Sequence, residues 1–150
     1  VAYVRTTTRA YPWPGLNFER AVEDPYILAQ IGELSSHLAA AEALTHEAAR
    51  KVDAALAVRA TASAEEMARL RAEASVAVSQ AKIVATHTGL RVCQDVFAAC
   101  GARAALREQN LDRFWRDVRT LTLHDPLSFR TRSVGEYLLQ DKAPMPALRY

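Results

Sequence analysis

A histidine and a carboxylate stand side by side at His124 and Asp125, where an arginine-studded amphipathic segment ends abruptly. An imidazole donates, accepts or transfers a proton near neutral pH, and a carboxylate can serve as a base, so acid–base chemistry has a natural place here. Leu111, Phe114, Trp115, Val118 and Leu121 follow the i, i+3, i+4, i+7 spacing of one helical face, while Asp112 and Arg116 pair at i, i+4 on another. The helical period is lost from Arg119 to Leu123. Asp125-Pro126 then reads as the N-cap and first-turn proline of a new helix, which puts His124 at a junction. Spacing alone favours plainer roles for both residues: a hydrogen-bonded junction histidine, and a cap worth about 1 kcal/mol.

The elements that must hold this junction are helices. Asp24-Pro25 supplies a cap and a first-turn proline, and Ile27, Ile31, Leu34, Leu38, Ala41, Ala48, Val52 and Ala55 continue at helical spacing to about Ala60. After Thr61-Ala62, Ser63 with Glu66 forms a capping box. A second helix carries Met67, Leu70, Ala74, Ala77, Ala81, Val84 and Thr88 towards Gly101. Two helices of roughly 35 residues joined by a short turn must lie antiparallel, and their alanine-rich seams allow close approach. A shorter helix from Leu111 to about Thr120 and a last one from Pro126 to about Leu139, with Phe129, Val134, Tyr137 and Leu138 as its apolar face, complete the set. The expected fold is all-α, an antiparallel four-helix bundle over 25–140, preceded by an entry segment 1–24 and followed by a tail 141–150 containing Pro144 and Pro146. Val1 to Thr8 is compatible with strand or helix, and Tyr11-Pro12-Trp13-Pro14-Gly15 must be a turn or connector.

Composition narrows the function. A net charge of +2 with interleaved acids and bases argues against a nucleic-acid or anionic-membrane partner. No apolar run reaches the roughly 18 residues needed to span a bilayer, and no signal-peptide progression opens the chain, so the cytoplasm is the expected compartment. Cys93 and Cys100 lie about 10 Å apart along one helix, beyond disulfide reach, and read as reduced packing residues. His37, His46 and His87 lack convergent metal-ligating partners, and His46 with Glu42 and Arg50 reads as solvated pairing. No phosphate loop, nucleophile elbow or zinc motif is present.

Longer strings are more specific. Gly101-Ala102-Arg103, Asp112-Arg113-Phe114-Trp115-Arg116 and Thr122-Leu123-His124-Asp125-Pro126 resemble the C-terminal region of acyl-CoA dehydrogenase-like flavin monooxygenases. Tyr3-Val4-Arg5 with Arg9, Asp24-Pro25-Tyr26 and Ile31-Gly32-Glu33-Leu34 resemble the entry into the same helical domain, so the likeness runs over nearly the whole chain. It implies a fragment of a larger, tetrameric enzyme, inert by itself. That enzyme would use FMN reduced by a separate flavin reductase, or alternatively FAD, together with oxygen, on an aromatic or sulfur-containing small molecule. In such enzymes a histidine placed like His124 lies beside the reactive edge of the flavin and serves oxygen activation.

The resemblance also marks cofactor-binding candidates. Arg103 could offer a planar fork to a flavin phosphate or pyrophosphate, although a solvated cation favourable to a helix dipole is the plainer reading. Phe97 to Gly101 matches the place where relatives pack against the flavin of a neighbouring subunit, and Arg5 and Arg9 resemble arginines near the phosphate contacts. Arg113, Arg116 and Arg119 read as salt-bridged or surface residues. In true acyl-CoA dehydrogenases the stretch equivalent to His124-Asp125-Pro126-Leu127 carries a glutamate followed by glycine and threonine, and both the base and the threonine are absent or altered here. That speaks against acyl-CoA dehydrogenation, with an acyl-CoA dehydrogenase or nitroalkane oxidase-type enzyme using Asp125 as base as the alternative. A helical oligomerisation module without chemistry is the third reading.

Overall fold

A computed structural model describes residues 1–145; the part of the expected tail from Pro146 onward lies outside the described residues. Five α-helices appear: α1 Ala2–Thr6, α2 Pro25–Ala57, α3 Ala64–Cys100, α4 Asp112–Leu123 and α5 Leu127–Gln140, with 3₁₀ turns at Ala21–Glu23 and Ala102–Ala105. Among the described residues there is no strand, only isolated bridges between Arg9 and Arg20 and between Trp13 and Leu16. The fold is all-α, and the opening segment is helix rather than strand.

The long helices start where local chemistry tells them to. The buried Asp24 carboxylate accepts the amides of Tyr26 at 2.8 Å and Ile27 at 3.4 Å, satisfying donors that a first turn otherwise leaves orphaned. Its other oxygen accepts the Trp13 indole N–H at 3.1 Å, which fastens the proline-rich connector to the head of α2. Ser63 Oγ accepts the Glu66 amide at 3.1 Å and opens α3. α2 stops at Ala57, three residues before the Ala60 expected, because Thr61 and Ala62 both turn their amides back to the Val58 carbonyl. Gly101, at φ 79° and ψ 168°, ends α3 in backbone that only glycine adopts at low cost.

The chain divides into two compact units. The first comprises residues 1–39 and 88–121. Its core gathers Val4, Ala99, Cys100 and Ala104, flanked by Ile27, Ile31, Val96 and Phe97. Gln30 Nε2 donates to the Asp95 carbonyl at 2.7 Å, so the first half of α2 lies antiparallel to the last half of α3. α4 packs against α3 at Gly89, where an added Cβ would meet Val118 Cγ1 at 3.3 Å.

Among the described residues the second unit comprises 40–87 and 122–145. Ala48 on α2 meets Ala77 and Ala81 on α3, with Leu44 beside them. Small side chains let the two backbones approach closely, at the expense of little apolar area removed from water.

Three sequence-based expectations need correction. α4 does not stop near Thr120 but runs to Leu123; Leu121 and Leu123 are exposed, so no buried face constrains the period there. Neither α4 nor α5 carries a fully buried residue, and Phe114, Trp115, Phe129 and Leu138 stand open rather than lining a core. Asp125 is not the cap of α5, which begins at Leu127 with Pro126 in the cap position and no side-chain cap bond. Its carboxylate is engaged elsewhere.

Candidate functional site

His124 and Asp125 fall in the bend between the end of α4 and the start of α5. His124 is exposed, and its ring makes no hydrogen bond or ion pair among the described residues. Asp125 is the opposite case. Its Oδ2 accepts Lys82 Nζ at 2.7 Å, Arg130 Nη2 at 2.6 Å and Arg130 Nε at 2.9 Å. Lys82 Nζ also donates to the Asp125 backbone carbonyl at 3.2 Å. The side chains of Asp125, Lys82 and Arg130 keep only 21%, 28% and 33% of their exposure, so water screens these bonds less than it screens an open surface pair. Hydrogen bonds from Lys82 first and Arg130 second hold the Asp125 carboxyl below the usual carboxylate range, against the opposing push of burial. An ionised carboxylate tied to two cations is a fixture, and it makes a poor proton acceptor.

Sequence reasoning missed Lys82 and Arg130. Arg130 stands five residues after Asp125, outside the ordinary helical pairings, and Lys82 is 43 residues away. One signal was present: Lys82 is the only formally charged residue between Glu73 and Arg91. A lone lysine in an apolar run has to find a partner or reach water.

The remaining candidates belong to the first unit. Arg5 and Arg9 are exposed and line a polar concavity of about 530 Å³ with Thr6, Thr7, Thr8 and Arg20. Guanidinium forks and threonine hydroxyls are donors suited to a phosphate. Thr8 Oγ1 donates to the Cys100 carbonyl at 3.1 Å, and Val4 shares a core with Ala104, so the segment bearing Arg5 and Arg9 adjoins the one bearing Gly101 and Arg103. Gly101 and Arg103 are exposed. Phe97 is half-buried and packs against the core of the unit.

Other residues have settled roles. Arg50 pairs with Glu47 at 2.7 Å, in place of the expected pairing with His46. Arg91 joins Glu33 at 2.6 Å and His37 Nε2 at 2.9 Å on an exposed face. Arg116 pairs with Asp112, and the Arg113 guanidinium lies 4.7 Å from the centre of the Phe114 ring. Both cysteines are free thiols, pushed up in pKa by burial. Among the described residues no group of three His, Cys, Asp or Glu could hold a metal, and no helix is long and apolar enough to cross a membrane.

Comparison with known proteins gives a consistent picture. The family model described as acyl-CoA dehydrogenase, C-terminal domain, matches residues 2–129. Dibenzothiophene monooxygenase of Mycolicibacterium goodii is 39% identical over 141 residues, 94% of this chain and 33% of that protein. The probable FMNH2-dependent monooxygenase SfnC of Pseudomonas putida is 37% identical over 142 residues, 95% of this chain and 35% of that protein. Among solved structures, the complex of TdsC from Paenibacillus sp. A11-2 with FMN and indole superposes with a TM-score of 0.82 at 40% identity, over 97% of this chain and 35% of that one. The chain thus spans about a third of the length of the relatives it matches.

Proposed function

Because the chain belongs to the acyl-CoA dehydrogenase C-terminal domain family, we propose that it forms the C-terminal helical part of a two-component flavin monooxygenase acting on sulfur-containing or aromatic small molecules. The relatives' names support that chemistry: one is FMNH2-dependent, one acts on dibenzothiophene, and one is solved with FMN and indole. The observation that carries it is the His124 bend, which presents an exposed imidazole, without a hydrogen bond among the described residues, next to a carboxylate fixed by Lys82 and Arg130.

Reduced FMN, delivered by a separate reductase, would supply the electrons for oxygen. This chain's residues would do the rest. Arg5 and Arg9, with the neighbouring threonine hydroxyls, present the donors for the phosphate. Gly101 leaves open space where an approaching ligand would meet no side chain, and the exposed Arg103 fork stands two residues on. Phe97 supports that corner from inside the core. His124 would hold or move a proton at a ring nitrogen during oxygen activation. Asp125 serves as a fixed anchor, which favours monooxygenation over a dehydrogenase or oxidase with Asp125 as base. The enzyme would assemble as a homotetramer.

In the full-length enzyme supplied with reduced FMN, His124→Ala should leave folding and FMN binding intact but slow oxygenation by roughly 100-fold, with the electrons lost to hydrogen peroxide. An unchanged yield of oxygenated product per reduced flavin would overturn the role given to His124.

A further inference from the structure

We propose that Lys82 and Arg130 are positioning residues for His124, acting through Asp125. This rests on the proton-transfer role just given to His124. The ring of His124 has no hydrogen bond of its own among the described residues, so no polar contact holds it and the backbone at the bend decides what it can reach. The next residue is where that backbone is held. Lys82 grips Asp125 twice, at the carboxylate (2.7 Å) and at the peptide carbonyl (3.2 Å), which ties the orientation of the peptide unit to that of the side chain. Arg130 closes on the same carboxylate oxygen through Nε and Nη2, so the start of α5 cannot swing away from the bend.

The anchor itself is firm. Lys82 follows Ala81, which is buried against Ala48 and Ala77 where α2 and α3 meet. The bend is therefore referred to the packed part of its own unit rather than to the first turn of α5, where an ordinary cap would have tied it. A catalytic imidazole displaced by about 1 Å loses on the order of 100-fold in rate, so a tether of this kind has a catalytic consequence.

The test uses the full-length enzyme with reduced FMN, and His124→Ala is run beside every variant. Lys82→Met should lower oxygenated product about 10- to 100-fold while KM and FMN affinity stay within about twofold. Lys82→Arg should restore most of the loss, since a guanidinium can make both contacts. Introduced into His124→Ala, Lys82→Met should cost less than about twofold more, because the tether has nothing left to position. Hydrogen exchange read by mass spectrometry should show faster exchange in residues 122–128 of Lys82→Met and little change elsewhere, a readout independent of flavin. If Lys82→Met fails to fold, Asp125→Asn keeps the shape, weakens both grips and should behave the same way.

Wild-type product yield in Lys82→Met, or losses that multiply in full with His124→Ala, would overturn the positioning role. If His124→Ala itself kept wild-type yield, the function proposed for the histidine would fall instead, and the two failures are told apart by that arm.

Discussion

Asp24-Pro25 and Asp125-Pro126 are the same dipeptide at the mouths of two helices, and they behave differently. Asp24 caps, with its carboxylate on the amides of Tyr26 and Ile27. Asp125 does not, because Lys82 and Arg130 offer charged donors, and a charge-assisted bond outweighs a neutral amide. The first behaviour was legible from three consecutive residues. The second depends on a lysine 43 positions away, and no local pattern carries that information.

Asp125 also sets a response to acid. Its carboxyl titrates lower in the folded chain than the about 3.9 of an unfolded aspartate. Stabilisation is therefore complete above that value and is lost as the pH falls through the folded pKa. Asp125→Asn should cost on the order of 1 kcal/mol at neutral pH, a charge-assisted pair discounted for its partial exposure, and the gap should close in acid. Urea unfolding of both proteins along a pH series checks it; a gap that stayed constant into strong acid would contradict the pairing.

At the scale of elements, the starts of α2 and α3 follow from their caps and from uninterrupted apolar spacing. The ends were harder. α4 overran its expected end because Leu121 and Leu123 face solvent, where nothing enforces a period. The contact between α3 and α4 at Gly89 makes a sharper test. Alanine in mid-helix gains about 1 kcal/mol over glycine. Its Cβ would stand 3.3 Å from Val118 Cγ1, close enough to require a shift of a few tenths of an ångström. α4 has no buried residue pinning it, so it should yield, and Gly89→Ala should raise stability by about 0.5 kcal/mol. A lowered melting temperature would show that α4 is held more firmly than its exposure implies.

For the whole molecule, the buried core is mostly alanine, while Phe114, Trp115, Leu121, Phe129, Leu138 and Leu139 are exposed. Alanine contributes little area, and large side chains left partly in water contribute only the part they cover. Such a surface is expected to find cover in self-association. Sedimentation should show species heavier than the 16.6 kDa of one chain, rising with concentration; a monomer throughout would count against the proposed homotetramer. The all-helical class was readable because alanine-rich helical periods run for tens of residues. The exposure of the apolar faces of α4 and α5 was not, since periodicity shows that a face is apolar without showing what lies against it.

The hold that Asp24 keeps on Trp13 has an optical consequence. The indole is hydrogen-bonded to a buried carboxylate, with the Tyr11 ring 4.9 Å away and the Tyr26 ring 5.5 Å away. The other tryptophan, Trp115, is about as exposed as Trp13 but sits on α4. The two chromophores thus report on different segments by ultraviolet emission. Light from Trp13 follows the seating of the connector on α2, and light from Trp115 follows whatever comes to cover α4.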